Sequence, residues 1–148
     1  MFSKEIKESI NESVLCWLAT ADDRGIPNCS PKEVFTYRGT NELLIADIAS
    51  PKSVQNIISN PNVCISFVHI FKQKGFKLKG RATYITSSDN AYSDLFELIQ
   101  PIANEFPVRG IIQVIVNSTS AIVAPSYYLI PGTTEESQIQ SGKHTYGV

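Results

Sequence analysis

The hydrophobic and polar positions of the chain alternate in short blocks that predict a mainly β protein. A helix is expected over residues 3–12, where Ile6 and Ile10 lie one helical turn apart among charged residues. Residues 110–125 predict either one long bent strand or two short strands. Further strands, each bounded by turn residues, are expected over residues 13–21, 26–37, 42–48, 62–71 and 76–87.

Residues 76–87 show the most regular alternation in the chain. One face carries Phe76, Leu78, Gly80, Ala82 and Tyr84, and the other carries Lys77, Lys79, Arg81 and Thr83. The cations on the second face have two interpretations that the sequence leaves open. They form either the solvated outer face of a sheet, or a groove for an anionic ligand or an acidic partner surface.

The junction after the strand at 42–48 predicts a short helix with an unusual start. Ser50 is placed as the N-cap and Pro51 as the first helical residue, where its missing N–H group costs nothing. The free N–H groups of Lys52 and Ser53, together with the Lys52 ammonium group, could hold an anion. Taken alone, this stretch is more typical of a capped helix with a solvated lysine, because it has no glycine-rich loop.

The strand predicted at residues 26–37 contains a proline. Pro31 interrupts the strand predicted at 26–37, so that strand is expected at a sheet edge or a bulge, with Lys32 beside it. By itself this pattern is typical of an edge strand protected by proline and lysine.

A longer helix is expected within residues 88–106, with Pro101 ending or kinking it.

The order of these elements predicts the fold class. Because most connections are hairpins, we expect an antiparallel sheet or small barrel with peripheral helices. No linker or repeat divides the chain, so residues 1–148 are expected to form a single domain. Residues 131–148 form a polar tail with no core pattern.

Composition and charge exclude several classes of function. The 148 residues are 43% hydrophobic and 18% charged, with a net charge of −1, so no global field would recruit nucleic acid or an anionic membrane. No apolar run approaches the roughly 20 residues that span a bilayer, and the polar N-terminus is not a secretory signal. A cytoplasmic protein is therefore expected, and the odd number of cysteines fits a reducing compartment.

The sequence contains few residues in patterns typical of catalytic or metal-binding sites. Cys16, Cys29 and Cys64 are widely spaced and include no CxxC pair, and neither His69 nor His144 has a partner at metal-ligand spacing. No metal site is therefore expected. The chain also lacks the GxSxG, Walker and HExxH motifs, so acyl transfer, nucleotide hydrolysis and zinc hydrolysis have no support.

Three stretches taken together are more specific than any single one. They are "CWLATADDRGIPNCSPKEVF", "NELLIADIASPKSVQNIISNPNVCISFV" and "FKLKGRATYI". Their order resembles the pyridoxamine 5′-phosphate oxidase-like family of FMN-binding split barrels, above all its short bacterial flavin-nucleotide-binding members. The matching positions are Ala19, Thr20, Asp22, Gly25, Pro27, Pro31, Ser50, Lys52, Asn56, Gly80 and Ala82.

The resemblance implies a six-stranded antiparallel Greek-key split barrel with peripheral helices, and a homodimer with FMN at the interface. By the same carry-over, the FMN phosphate would be bound by Ser50, Lys52 and Ser53, with Gln55 or Asn56 as lesser candidates. Asp47 and Ile48 would lie along the ribityl chain, and Lys77 and Lys79 would approach from the second chain or flank the phosphate. The flavin ring would be lined by Asn28, Cys29, Ser30 and Lys32, partly through their main chain.

The resemblance also implies a flavin-dependent oxidoreductase acting on an unknown small-molecule substrate. The C-terminal Arg-and-His substrate motif of true pyridoxamine phosphate oxidases has no matching Arg here, which argues against vitamin B6 oxidation. Two alternatives remain at this point. One is a non-catalytic module for flavin binding, storage or sensing, and the other is a relative that uses a deazaflavin or haem in the same barrel.

Overall fold

The computed structural model describes all residues from 1 to 148, arranged as one antiparallel sheet with five helices. The strands are β1 Cys16–Ala21, β2 Pro27–Lys32, β3 Phe35–Arg38, β4 Glu42–Asp47, β5 Asn62–His69, β6 Lys74–Ile85 and β7 Gly110–Val123. The helices are α1 Lys4–Glu12, α2 Pro51–Ser59, α3 Tyr92–Ala103, α4 Ser126–Leu129 and α5 Glu135–Tyr146.

The sheet has seven strands in the order β2-β1-β5-β6-β7-β4-β3, and each neighbouring pair is antiparallel. The expectation of six strands is therefore corrected to seven. The run at 26–37 does not form one strand, because it divides at Glu33 and Val34 into β2 and β3 at opposite edges of the sheet. The segment 110–125 forms the single long strand β7.

The short link between β2 and β3 requires the sheet to curl. Only Glu33 and Val34 separate Lys32 at one edge from Phe35 at the other, and such a link spans roughly 10 Å at most. The N–H group of Ala46 on β4 donates to the Val34 carbonyl oxygen at 2.9 Å, so the β3–β4 pairing begins at this link. The two edges are therefore brought together, and the sheet forms the mainly β split barrel that the sequence predicted.

Apolar side chains fill the barrel from one face of each strand. The larger cluster contains Leu18, Ile65, Leu78 and Val114, and it is joined by Phe2 and by Ile6 and Ile10 of α1. A second cluster lies beneath α3, where Leu95 and Ile99 are buried. The alternation predicted for β6 is confirmed, since Leu78, Gly80 and Ala82 are buried while Lys77, Lys79 and Arg81 are exposed.

The predicted start of α2 is confirmed, with Ser50 at the N-cap position, and the helix ends with Asn60 at the C-cap position. Its Ile57 is buried, whereas Ile58 is 73% exposed. The polar tail, for which the sequence showed no core pattern, forms α5, which follows the short helix α4. Helix α5 begins with a capping box at Thr134 and packs its Gly142 against Phe71 in the β5–β6 turn.

Candidate functional site

The start of α2 is fastened to the end of β4. Ser50 is in the N-cap position, but its hydroxyl group makes no capping hydrogen bond to the helix. Instead, its N–H group donates to Oδ1 of Asp47, the last residue of β4, at 3.0 Å. The amide groups of the first helical turn have no acceptors within the helix, so they remain available at the positive end of its dipole.

Strand β2 supplies side chains to the same place. Ser30 and Lys32 point to the inner side of the sheet, since they pair with the buried residues Leu18 and Cys16 of β1. The hydroxyl oxygens of Ser30 and Ser53 are 3.3 Å apart, and the Lys32 ammonium group donates to the Ser50 hydroxyl oxygen. We call Ser30, Lys32, Ser50 and Ser53 the α2 seat.

A buried acid and a tyrosine stand behind the α2 seat. Asp47 is only 4% exposed, and its Oδ2 accepts a hydrogen bond of 2.5 Å from the hydroxyl group of Tyr84 on β6. Gly110 leaves room for this contact, because a Cβ atom at that position would overlap the Tyr84 ring. Both oxygens of the Asp47 carboxylate therefore have donors within the protein.

Burial determines the electrostatics of this region. Loss of solvent lowers the pKa of Lys32, and attraction to Asp47 opposes that change only in part. Burial is the main cause that raises the pKa of Tyr84, and the hydrogen bond to Asp47 raises it further. Burial likewise raises the pKa of Cys16 beside Lys32 to about 12, so this thiol is neutral at pH 7. Cys16 and Tyr84 are thus neutral at pH 7, and they lie beside the buried side chains of Lys32 and Asp47.

The structure places the remaining predicted residues of this region in different surroundings. Asn28 is half-buried on the same side of β2 as Ser30, whereas Ile48 packs against the cluster under α3. Asn56 is buried, and its side-chain amide donates to the hydroxyl group of Thr20 at 3.0 Å. Lys52 and Gln55 are exposed on α2.

Cys29, Lys77 and Lys79 lie on the opposite face of the sheet from the α2 seat, and we call this side the outer face. One row of paired positions crosses five strands as Cys29, Ala19, Cys64, Lys79 and Ser118. The adjacent row is Pro31, Trp17, Ser66, Lys77 and Ser120. Within one chain, these predicted residues therefore do not meet the α2 seat.

The outer face continues into an apolar groove of about 430 Å³. Its apolar lining is Val14, Leu15, Trp17, Phe67, Val68, Ile70 and Phe71. Trp17 belongs to both features and is 46% exposed. The face opposite the α2 seat thus combines uncovered apolar side chains with a row of cations.

Sequence reasoning missed the roles of Tyr84 and Thr20. The alternation of β6 did place Tyr84 on the inward face, where it is the only residue with a polar tip. That signal could have suggested a buried acceptor, but nothing in the sequence identified Asp47 as its partner. Thr20 was noted only as a position matching the family, and its bond to Asn56 joins residues 36 positions apart.

No three His, Cys, Asp or Glu side chains converge in a way that could hold a metal ion. None of the helices has the length and apolar character needed to cross a bilayer.

A curled antiparallel sheet with a polar seat at the start of one helix defines a split-barrel protein. Residues 2–120 match the family model described as pyridoxamine 5′-phosphate oxidase. The chain therefore belongs to the pyridoxamine 5′-phosphate oxidase family. A comparison with curated protein sequences finds no match.

Solved structures share this fold at low sequence identity. HupZ of Group A Streptococcus is 23% identical, with a TM-score of 0.69 over 84% of this chain and 99% of that one. An FMN-binding protein of Syntrophomonas wolfei is 12% identical, with a TM-score of 0.68 over 82% and 86%. HutZ, the haem storage protein of Vibrio cholerae, is 21% identical, with a TM-score of 0.58 over 80% and 92%.

Proposed function

We propose that this protein binds FMN as a homodimer and acts as a flavin-dependent oxidoreductase on a small molecule. The observation that carries the proposal is the α2 seat, where three hydroxyl groups and a buried ammonium group converge beside a helix start. Family membership adds support, as does the fold shared with an FMN-binding protein.

The donors of the α2 seat fit a phosphate group chemically. A phosphomonoester offers three strong acceptor oxygens and nearly two negative charges. Lys32 supplies a cation, Ser30, Ser50 and Ser53 supply hydroxyl donors, and the first turn of α2 supplies backbone N–H groups. These residues would hold the phosphate of FMN and thereby orient the rest of the cofactor.

The bound flavin would supply the electron transfer chemistry, while the chain supplies binding and electrostatics. Asn28 lies on the same side of β2 as Ser30 and would extend the site beyond the phosphate, as would the main chain of β2. The substrate would have to approach the flavin from the side that the two chains leave open.

The outer face supports the homodimer. Trp17 is 46% exposed and Ile115 43%, and Ile70 at the groove is 50% exposed. Uncovered apolar area of this kind normally marks an interface. Lys77 and Lys79 lie on this face, so in a homodimer they would be available to the second chain and its cofactor. This arrangement would give the two cations a role that they lack within one chain.

The haem alternative finds little support at the histidines. Nδ1 of His69 accepts a hydrogen bond of 3.1 Å from the N–H group of Lys72, which places the proton of the neutral ring on Nε2. An imidazole that binds iron through Nε2 needs a free lone pair there. His144 is exposed on α5.

The absorption spectrum of the purified protein tests the proposal. Oxidised flavin bands, or saturable quenching of FMN fluorescence on titration, would support FMN binding. A Soret band or a deazaflavin spectrum would contradict it. Bleaching by NADH or NADPH, followed by reoxidation with a substrate, would separate an oxidoreductase from a storage or sensing module that shows no turnover.

A further inference from the structure

Lys32, Asp47 and Tyr84 come from three different strands and meet behind the start of α2. Lys32 is 9% exposed and Asp47 is 4% exposed. Lys32 donates to the hydroxyl group of Ser50, while the N–H group of the same Ser50 donates to Asp47. Tyr84 occupies the other carboxylate oxygen of Asp47. Ser50 thus lies between the buried cation and the buried anion.

We propose that Lys32, rather than Lys52, is the residue that selects a ligand with a terminal phosphate group. We further propose that Tyr84 is a positioning residue, which keeps Asp47 from capturing Lys32. This inference rests on the proposed binding of a phosphate-bearing ligand at the α2 seat.

Burial distinguishes the two lysines. Lys52 is exposed on α2, where its attraction to a ligand acts through water and is weakened by salt. Lys32 is nearly buried, and the attraction between charges strengthens as the effective dielectric constant falls. Its positive charge is also poorly compensated, since burial lowers its pKa more than Asp47 raises it. A dianionic phosphate would supply the missing counter-charge.

Asp47 would otherwise compete with the ligand for Lys32. In the structure each carboxylate oxygen already accepts a hydrogen bond, one from the Ser50 N–H group and one from Tyr84. Lys32 donates instead to the Ser50 hydroxyl group, from which its ammonium group can turn to a phosphate oxygen. Removal of the Tyr84 hydroxyl group would take away one of the two donors that orient the Asp47 carboxylate, which would then be free to turn towards Lys32.

The other titratable groups nearby do not take over this role. Cys16 on β1 faces Lys32, but its raised pKa of about 12 keeps the thiol neutral. Tyr92 on α3 and Arg109 before β7 act on Tyr84 rather than on Lys32. Asp47 is thus the only anion that acts on Lys32 in this site.

FMN and riboflavin, which lacks the phosphate, form a matched pair of probes. Their affinities are measured by fluorescence quenching for the wild type, Lys32→Met, Lys52→Met and Tyr84→Phe. Lys32→Met should weaken FMN binding roughly tenfold to a hundredfold, the loss typical of a charged hydrogen bond, and leave riboflavin binding unchanged. Lys52→Met should cause a smaller loss that disappears at about 1 M salt, where screening is nearly complete.

Tyr84→Phe should weaken FMN binding and spare riboflavin, because its effect acts through the charge of Lys32. An equal loss for both flavins would show a merely structural role for Tyr84 and would overturn that part of the proposal. Equal losses of FMN affinity in Lys32→Met and Lys52→Met would overturn the assignment of Lys32. Circular dichroism checks that each variant is folded.

If Lys32→Met does not fold, two measurements on the wild-type protein test the role of Lys32 and the phosphate site. FMN affinity should fall as the pH rises through the lowered pKa of Lys32, whereas riboflavin affinity should not, and an identical pH profile for both would contradict the inference. Inorganic phosphate should raise the melting temperature. If phosphate stabilises the protein but no flavin binds, the proposed function fails while the phosphate seat stands. If FMN and riboflavin bind equally well, FMN binding stands and the inference fails.

Discussion

The side-chain amide of Asn56 on α2 donates a hydrogen bond of 3.0 Å to the hydroxyl group of Thr20 on β1, and both side chains are buried. This bond fastens the middle of α2 to the sheet, one turn beyond the α2 seat. Because Ser53 lies on the same side of the helix as Asn56, the bond also fixes the distance between Ser53 and Ser30. The seat therefore depends on a polar contact outside it.

Thr20→Val should destabilise the protein by about 1–3 kcal/mol, since it leaves the buried Asn56 amide without its acceptor. Replacing both partners, as Thr20→Val with Asn56→Leu, should cost less than the sum of the single changes. Urea unfolding of the four proteins in a double-mutant cycle measures this coupling. Strict additivity would show that the bond contributes nothing.

Lys52→Glu should weaken FMN binding roughly tenfold at low salt, because an exposed attraction of up to about 1 kcal/mol becomes a repulsion of similar size. The fold should be unaffected, since Lys52 is exposed and makes no hydrogen bond or ion pair that its loss would break. Fluorescence quenching measures the affinity, with Lys143→Glu on α5 as a control for the change of charge. Identical affinity for Lys52→Glu and the wild type would show that Lys52 does not act on the bound phosphate.

Acid should loosen the hairpin that carries β2. Oδ1 of Asp22 accepts hydrogen bonds from the N–H groups of Ile26 at 2.8 Å and Arg24 at 2.9 Å. The bond from Ile26 is the main reason that the pKa of Asp22 lies below its usual value. A lowered folded-state pKa means that the stabilisation is present at neutral pH and is lost as the pH falls through that pKa.

Asp22→Asn should retain the acceptor oxygen and lose only this pH dependence, whereas Asp22→Ala should lower the melting temperature at neutral pH as well. Thermal unfolding between neutral and acid pH compares the three proteins. If Asp22→Ala and the wild type show the same pH dependence, the carboxylate does not stabilise the turn.

Deletion of residues 137–148 should leave the barrel folded and alter flavin affinity or flavin exposure. The deleted part of α5 contacts the β5–β6 turn, where the rings of Tyr146 and Phe71 are 6.1 Å apart between centroids, and contributes nothing to either core cluster. Iodide quenching of bound FMN measures the exposure, and Tyr146→Ala serves as the milder control. Unchanged affinity and quenching would show that the tail takes no part in the site.

The melting temperature should rise with both protein and FMN concentration if the dimer forms across the outer face. A ligand at 100 times its dissociation constant stabilises the state that binds it by about 2.7 kcal/mol. Trp17→Glu should shift the protein towards monomers, because Trp17 is exposed on that face between Pro31 of β2 and Ser66 of β5. Light scattering that gives a monomer mass with FMN still bound would contradict both the interface and a site shared between chains.

Local pattern predicted much of the fold. The alternation of residues 76–87 predicted β6 and its two faces, and Pro31 predicted an edge strand, which β2 is. It did not predict that residues 26–37 divide between the two edges of the sheet. Both halves have strand character, and only the curl of the sheet separates them. Helix α5 was missed because it packs through Gly142 and a few contacts rather than through a periodic apolar face.

The sequence by itself determined the elements, the inward and outward faces, and the start of α2 at Ser50 and Pro51, because each of these depends on neighbours within a few positions. Tertiary structure alone decided which side chains meet. Lys32, Asp47 and Tyr84 come together because antiparallel pairing and curling of the sheet bring three strands to one helix start. The same geometry places Cys29, Lys77 and Lys79 on the outer face, since successive residues of a strand point to opposite sides of the sheet.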